Sequence, residues 1–294
     1  MELDRNMPSV TQPSLFAPEP GTARVKPAGR LATRMRVLIT VKAAPNPSQT
    51  YGETVCVAGL RLDPDQAGWI RLYPVNFREL DGDSKFKKYD VVSLTARPNP
   101  VDPRAESWRP EIDTLTVETK LPSWPRRQAW VSEHVDGTMC GLIEAVSANP
   151  AAKSLAAIRP KQVTALDIKP HGGWSMDEQR RIDRYVSQLS LPGMSRGPKT
   201  ALEAPRFKGW YRYLCQAPGC RGHNQGIYDW EWVAFQRHLH HLPDQEAIAE
   251  LRNQFFTKIC AQDKDLVFFV GNQQKHPRGF MVLGMFYPPL SPRR

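Results

Sequence analysis

The sequence has 294 residues, and its 40 lysines and arginines exceed its 30 acidic residues, giving a formal net charge of +10. At about 150 residues per domain, this length predicts two domains or one large one. The positive charge favours a polyanionic partner, nucleic acid first. No stretch approaches the roughly 20 consecutive apolar residues of a membrane span, and the N-terminus resembles no secretory signal. We therefore expect a soluble cytoplasmic protein with no membrane partner.

Residues 1–33 predict a disordered tail. This segment is rich in proline and polar residues, and Leu15 and Phe16 are its only adjacent large apolar residues. Such a segment buries too little apolar surface to offset the entropy lost on ordering.

Residues 34–120 predict a small β-barrel. Short runs rich in β-branched residues alternate here with Pro, Gly, Asn and Asp, as is typical of strands joined by turns. Five strands at this spacing favour a small barrel or a strongly bent sheet. The runs are residues 36–41, 54–58, 68–73, 89–95 and 114–119.

Residues 121–204 predict a helical connector with one strand. Apolar residues recur at helical spacing between Trp124 and Val146, and residues 161–169 predict the strand. Ser175 precedes Glu178 by three residues, the pattern of a capping box that begins a helix. Residues 192–205 contain two glycines and three prolines, which indicates a linker.

Residues 205–294 predict a C-terminal α/β module that contains the Cys/His residues. Residues 229–241 and 244–260 have the pattern of two helices, and residues 265–271 and 279–287 that of a terminal strand pair. The predicted fold class is therefore α+β, with an OB-like barrel followed by a helical connector and this module.

Part of the predicted barrel resembles the dual OB-containing domain family, a bacterial family presumed to bind nucleic acid. The resemblance covers about residues 34–115. It lies in Cys56-Val-Ala-Gly59, Gly68-Trp-Ile-Arg71 with Pro74-Val75, Tyr89-Asp-Val-Val92 and Glu106-Ser-Trp108. It implies an OB fold and nucleic-acid binding.

Aromatic and basic residues are interleaved in this region. OB barrels bind single strands by stacking bases on aromatic side chains in a basic groove, at about 1–3 kcal/mol per base. We predict binding of single-stranded nucleic acid, with DNA favoured, through Trp69, Arg71, Tyr73, Arg78, Lys85, Lys87, Lys88, Arg104 and Trp108. The alternative is that the aromatic residues belong to the core and the basic residues to a solvated face.

Cys215, Cys220 and His223 predict a structural zinc site, because tetrahedral zinc accepts thiolate and imidazole ligands. Free cysteines or a catalytic metal are the alternatives. We expect the fourth ligand to be His238, His240, His241 or Cys260, although none has a diagnostic spacing. Cys140 has no histidine motif nearby and is interpreted as a small buried apolar residue.

A metal-dependent nuclease is an alternative function, because two groups of residues contain carboxylates that could bind a metal ion. Asp102, Glu118 and Lys120 resemble the arrangement in which carboxylates hold magnesium and a lysine stabilises the attacking water. Asp229 and Glu231 form the second group, although helix capping and the helix dipole explain both without chemistry. A further alternative is a non-catalytic adaptor that binds a protein partner.

The tail contains a short docking motif. Gln12-Pro-Ser-Leu-Phe16 resembles the bacterial motif that binds replication and repair proteins to the DNA sliding clamp. The resemblance implies that Leu15 and Phe16 enter an apolar pocket while Gln12 makes hydrogen bonds, as an extended peptide can. A sliding clamp is therefore a candidate partner, and it is the reason for favouring DNA over RNA.

Overall fold

The computed structural model describes residue 26 and residues 31–48, 52–64, 67–80, 82–187 and 200–290. The described chain is a mixed α+β protein, as predicted. Strands predominate over helices in it. The predicted clamp-binding residues Gln12, Leu15 and Phe16 lie outside this range. None of the helices in the described ranges is long and apolar enough to cross a membrane.

Five strands of the first part of the chain close on themselves as a ring. They are β1 (Thr33–Lys42), β4 (Val57–Arg61), β5 (Gly68–Leu72), β6 (Asp90–Pro98) and β7 (Ser107–Lys120), with the short pair β2 (Asn46–Ser48) and β3 (Gly52–Thr54) between β1 and β4. The order around the ring is β1-β4-β5-β7-β6. Four neighbouring pairs are antiparallel, and β5 with β7 is parallel.

The second part of the chain builds two three-stranded sheets. One contains β8 (Leu155–Ile158), β12 (Val267–Gln273) and β13 (His276–Phe286), with β12 in the centre. The other contains β9 (Pro160–Pro170), β10 (Phe207–Cys215) and β11 (His223–Gly226), with β10 in the centre. The helices are α1 (Trp124–Ser132), α2 (Met139–Ala148), α3 (Met176–Ser187), α4 (Trp230–His238) and α5 (Asp244–Arg252), and α5 continues as a π-helix over Asn253–Lys258.

The observed elements refine the predicted ones. The second ring strand covers residues 57–61 rather than 54–58. The predicted helix between Trp124 and Val146 is two helices, because Gly137 adopts a φ of 71° and interrupts the helix between them. The connector contributes two strands rather than one, and these pair with strands of the C-terminal module, β8 with β12 and β9 with β10.

The sheet of β8, β12 and β13, which we call the C-terminal sheet, covers one side of the ring. All five residues of β4 and four of the five residues of β5 are buried. The Trp69 ring meets the Phe269 ring edge-on, with centroids 5.7 Å apart. Leu155, Phe269 and Phe286 share one apolar core with the inward-facing residues of the ring. The ring and the second part of the chain therefore pack through a common core.

Candidate functional site

Four potential metal ligands from distant parts of the chain meet in one cluster. Cys140 lies in the first turn of α2, Cys215 ends β10, Cys220 lies in the following turn, and His223 begins β11. Their ligand atoms all lie within 4.8 Å of one another. These four residues could bind a metal ion.

The distances within the cluster fit a tetrahedral ion. Zinc with Zn–S bonds of about 2.3 Å and Zn–N bonds of about 2.0–2.1 Å separates two sulfurs by about 3.8 Å, and a sulfur from a nitrogen by about 3.6 Å. The sulfurs of Cys140 and Cys215 are 3.6 Å apart. Nε2 of His223 lies 3.5 Å from the Cys140 sulfur and 3.4 Å from those of Cys215 and Cys220. One ion at the centre of the cluster could therefore contact all four ligand atoms.

The local backbone supports negative charge on the sulfurs. The backbone amides of Cys215 and Gly222 each donate a hydrogen bond to the Cys220 sulfur at 3.4 Å. The hydroxyl of Thr138 accepts from the Gly141 amide and caps α2, so Cys140 lies at a helix N-terminus, which favours a thiolate. Backbone donors and helix dipoles of this kind help to hold metal-bound thiolates.

Without a cation, the thiols of Cys215 and Cys140 differ in how readily they ionise. Burial opposes ionisation of Cys215, but hydrogen bonds involving the Cys140 and Ala217 backbone and the His223 ring outweigh it and lower the pKa of Cys215 to about 6. Burial and the neighbouring sulfurs of Cys215 and Cys220 raise the pKa of Cys140 to about 12. Metal binding requires deprotonated thiols, so a bound divalent cation would favour the thiolate form of Cys140 as well as that of Cys215.

The identity of the fourth residue corrects the sequence prediction. His238 and His240 bond to the nearby carbonyls of Ala234 and Arg237, and Cys260 bonds to the Phe255 carbonyl. His241 is exposed and packs edge-on against His240. None of the four belongs to the cluster. Cys140 packs against the apolar core, as interpreted from the sequence, but it is only partly buried and its sulfur also belongs to the cluster.

The residues predicted to bind nucleic acid do not share one exposed surface. Arg71, Arg104 and Trp108 are buried, and so is most of the Lys88 side chain. Trp69 packs against Phe269, and Arg78 bonds to Thr200 and the Ala201 carbonyl. Lys85 and Lys87 are exposed, and Tyr73 is half-buried. Because the sheet of β8, β12 and β13 covers this side of the ring, the buried members cannot form an open surface along which a strand of nucleic acid could lie.

Lys88 belongs instead to an ionic cluster in which the side chains of Lys88 and Asp229 are buried and that of Glu231 is half-exposed. Its ammonium lies 3.0 Å from the Glu231 carboxylate and 3.7 Å from that of Asp229, and it also donates to the Met285 carbonyl. Asp229 caps α4 by accepting from the Glu231 amide, as predicted, while its second oxygen has no hydrogen-bond partner in the described residues. Burial raises the pKa of Asp229 to about 7, and the nearby Lys88 ammonium only partly opposes this.

The other predicted acidic group is also dispersed. Asp102 forms a bidentate ion pair with Arg104, and Glu118 pairs with Arg36. Lys120 is exposed at the end of β7. Each carboxylate is thus already paired with its own arginine, and the arrangement offers no support for a shared magnesium site.

A cleft of about 320 Å³ opens where the ring meets the C-terminal sheet. Polar groups line much of it, and Tyr73 from the ring and Tyr228 from the second part lie in its walls. The remaining polar lining residues are Asn46, Cys56, Arg71, Asn99, Asp102, Arg104, Asn272, Gln273 and Gln274. Three of the residues predicted to bind nucleic acid, Arg71, Tyr73 and Arg104, therefore line this cleft.

Comparison with known proteins finds two family models that together span the described fold. Residues 134–294 match a family described as Domain of unknown function (DUF8757). Residues 33–133 match a second one, described as Domain of unknown function (DUF8758). The boundary lies between α1 and α2, so Cys140, Cys215, Cys220 and His223 all fall within the first match. No curated protein matches the sequence.

Proposed function

The chain belongs to the family described as Domain of unknown function (DUF8757), and from its own geometry we propose that it is a nucleic-acid-binding protein with a structural zinc ion. The observation that carries the proposal is a basic and aromatic face on the sheet of β9, β10 and β11. We call this face the sheet platform; it consists of Lys169, Lys208, Trp210, Arg212 and Tyr228.

Alternation along β10 creates the platform. Phe207, Gly209, Tyr211 and Tyr213 face the core, whereas Lys208 and Arg212 are exposed and Trp210 between them is half-buried. Lys169 of β9 pairs with Lys208, and its ammonium lies 5.9 Å from the centre of the Trp210 ring. Arg212 is paired with Asp167, whereas no acid of the described segments forms an ion pair with Lys169 or Lys208. We therefore expect the two lysines to contact phosphates.

A glycine gives the aromatic side chains room on this face. Gly226 of β11 lies opposite Trp210. A Cβ at Gly226 would come within 3.1 Å of the Tyr228 ring and 3.6 Å of the Trp210 indole nitrogen. The two rings therefore flank a site without a side chain. Half-exposed rings beside lysines on an open sheet are typical of surfaces that stack nucleobases, at about 1–3 kcal/mol per base.

Three other observations support the proposal. The net charge of +10 favours a polyanionic partner. An OB domain is a five-stranded Greek-key barrel, and the first part of this chain has five strands that close as a ring. This ring supports the OB fold that the sequence resemblance implies. Exposed Lys85 and Lys87 at the ring remain from the predicted binding surface. In this proposal the platform, rather than the covered side of the ring, makes the base contacts.

Zinc at Cys140, Cys215, Cys220 and His223 has a structural role in this proposal. It would tie α2 to the ends of β10 and β11, the two strands that carry Trp210 and Gly226. Four protein ligands complete a tetrahedral shell and leave no position for a substrate, as in structural rather than catalytic zinc sites.

A titration with fluorescently labelled single-stranded DNA tests the platform. We expect Trp210→Ala to weaken binding about 5-fold to 100-fold, since one stacked base is lost. Replacing Lys169 and Lys208 by glutamine should flatten the salt dependence of binding by up to about two ions. Trp130→Ala, at an exposed tryptophan on α1, is the matched control.

Two results would refute this assignment. Affinity unchanged between low and moderate salt excludes phosphate capture as the basis of binding. If the Lys85→Gln, Lys87→Gln double variant loses affinity while Trp210→Ala does not, the binding surface lies on the ring and not on the platform.

A further inference from the structure

Arg71 is a buried cation at the wall of the cleft. It is 5 % exposed and extends from β5 toward residues of the second part of the chain. Nη1 donates to the Cys56 sulfur at 3.1 Å, and Nη2 donates to the hydroxyl and carbonyl oxygens of Ser154. Nε has no hydrogen-bond partner in the described part of the chain. The groups that bind this guanidinium are a thiol, a hydroxyl and a carbonyl, none of which is a carboxylate.

The second arginine of the cleft has a different environment. Arg104 is held by both oxygens of Asp102 and by the carbonyl and amide oxygens of Asn272. Its charge is therefore compensated within the protein. Two arginines thus line one cleft, and only Arg104 is paired with an acid there.

Other charges near the cleft add to the imbalance. The Lys26 ammonium donates to the carbonyl oxygens of Asn99 and Asp102, two residues of the cleft wall. The Arg71 amide donates to the Glu106 carbonyl, but in the described residues the Glu106 carboxylate connects to the guanidinium through the Ser154 hydroxyl. Among the described residues at the cleft, the three cations Arg71, Arg104 and Lys26 outnumber the two carboxylates of Asp102 and Glu106. A buried cation without a paired anion is costly, and this cost falls when a bound anion approaches.

We propose that this cleft binds the phosphate group of a phosphomonoester, with Arg71 as the residue that recognises it. A guanidinium matches the geometry of phosphate oxygens, and a phosphomonoester carries about −1.5 to −2 charges near neutral pH. The cleft volume of about 320 Å³ lies at the lower end of the range for small-ligand sites, which suits a mononucleotide. The half-buried rings of Tyr73 and Tyr228 provide walls for a base.

Tyr228 connects this cleft to the sheet platform, because the same side chain lines the cleft and flanks Gly226. A nucleic-acid strand on the platform could therefore place its terminal phosphate in the cleft. The phosphate site does not depend on that arrangement, since a free mononucleotide presents the same group. Its test is accordingly separate from the test of nucleic-acid binding.

Calorimetric titration of the full chain with adenosine 5′-monophosphate, adenosine and acetate tests the proposal. We expect the monophosphate to bind at least 10-fold more tightly than adenosine, and acetate to bind no more tightly than adenosine. Arg71→Met should remove this preference, a loss of about 10-fold to 100-fold for a charge-assisted contact. Arg126→Met, at an exposed arginine of α1, should leave binding unchanged.

A second variant keeps the test valid if Arg71→Met does not fold. Gln273 is exposed at the cleft rim, and within the described ranges the hydrogen bond of its side chain goes to the Met281 sulfur, at 3.9 Å. Gln273→Glu places a negative charge in the cleft without removing a structural contact, so it should weaken monophosphate binding several-fold and leave the melting temperature unchanged. Monophosphate affinity that is unaffected in a folded Gln273→Glu variant would contradict the proposal.

The source of the phosphate is resolved by two oligonucleotides that differ only at their ends. A 10-fold preference for a 5′-phosphorylated over a 5′-hydroxyl strand assigns the cleft to strand ends. Equal binding of both strands, together with tight binding of the monophosphate, assigns it to a free nucleotide. The phosphate site is refuted if adenosine 5′-monophosphate and adenosine bind equally or if neither binds.

Discussion

Lys88→Met should destabilise the fold rather than weaken nucleic-acid binding. The side chain of Lys88 is 9 % exposed and lies 3.0 Å from Glu231 and 3.7 Å from Asp229. At an effective dielectric constant of about 20, the attraction between Lys88 and the ionised Asp229 carboxylate amounts to about 4–5 kcal/mol before the cost of desolvation. Glu231 is 48 % exposed, so its attraction is screened by solvent and adds about 0–1 kcal/mol. Removing one partner of a buried pair typically costs about 3–5 kcal/mol, since the remaining charge stays buried. We expect a loss of this size in the free energy of unfolding.

The loss should depend on pH. The pKa of Asp229 is raised by burial to about 7 in the folded protein, above its ordinary value of 3.8. Stability contributed by protonated Asp229 is therefore present at low pH and is lost as the pH rises through about 7. Without Lys88 the ionised carboxylate has no cation beside it, so the destabilisation should be larger at pH 8 than at pH 5.

Urea unfolding followed by tryptophan fluorescence measures the effect, with an unchanged m-value as the check that both states remain comparable. Lys87→Met, at the exposed neighbour, should change the free energy of unfolding by less than about 0.5 kcal/mol. A double variant with Asp229→Asn should recover part of the loss, because it removes one buried carboxylate. A loss below about 1 kcal/mol for Lys88→Met, or a loss of DNA affinity at unchanged stability, would refute the buried ion pair.

The other predictions concern the metal centre and the tail. Cys140→Ser should lower both the zinc content, measured by elemental analysis, and the melting temperature, since structural zinc is coupled to folding, whereas Cys260→Ser should retain one zinc per chain. Wild-type protein that is folded and free of metal would exclude the site. A peptide covering residues 9–20 should bind a bacterial sliding clamp in fluorescence polarisation and lose most of its affinity when Leu15 and Phe16 become alanine. Equal binding of both peptides would mean that the motif match is a coincidence.

Features that depend on neighbouring residues in the chain follow from the sequence. The capping box of α3 is present, since Ser175 and Glu178 exchange hydrogen bonds. Asp229 caps α4 as expected. The five predicted strands of the first part form the ring, and the terminal strand pair is formed by β12 and β13. Caps and alternating patterns are set by residues only a few positions apart, so the sequence by itself determined them.

Three of the four residues of the candidate metal site could be predicted from the sequence. Cys215, Cys220 and His223 lie within nine residues, and their spacing identified them as candidate ligands. Cys140 lies 75 residues before Cys215 and occupies a helix turn with no ligand pattern of its own. Only the packing of α2 against the ends of β10 and β11 makes it the fourth candidate ligand.

Tertiary structure alone decided which basic and aromatic residues are accessible. Strand alternation predicts that Trp69 and Arg71 lie on the same face of β5. It does not predict what covers that face. The C-terminal sheet covers it, which buries Arg71 and packs Trp69 against Phe269. Trp210 is half-exposed between two cationic residues on β10, a strand that the sequence did not predict. A residue's chemistry is fixed by its type, whereas its exposure depends on contacts with residues a hundred or more positions away, and those contacts form only when the chain folds.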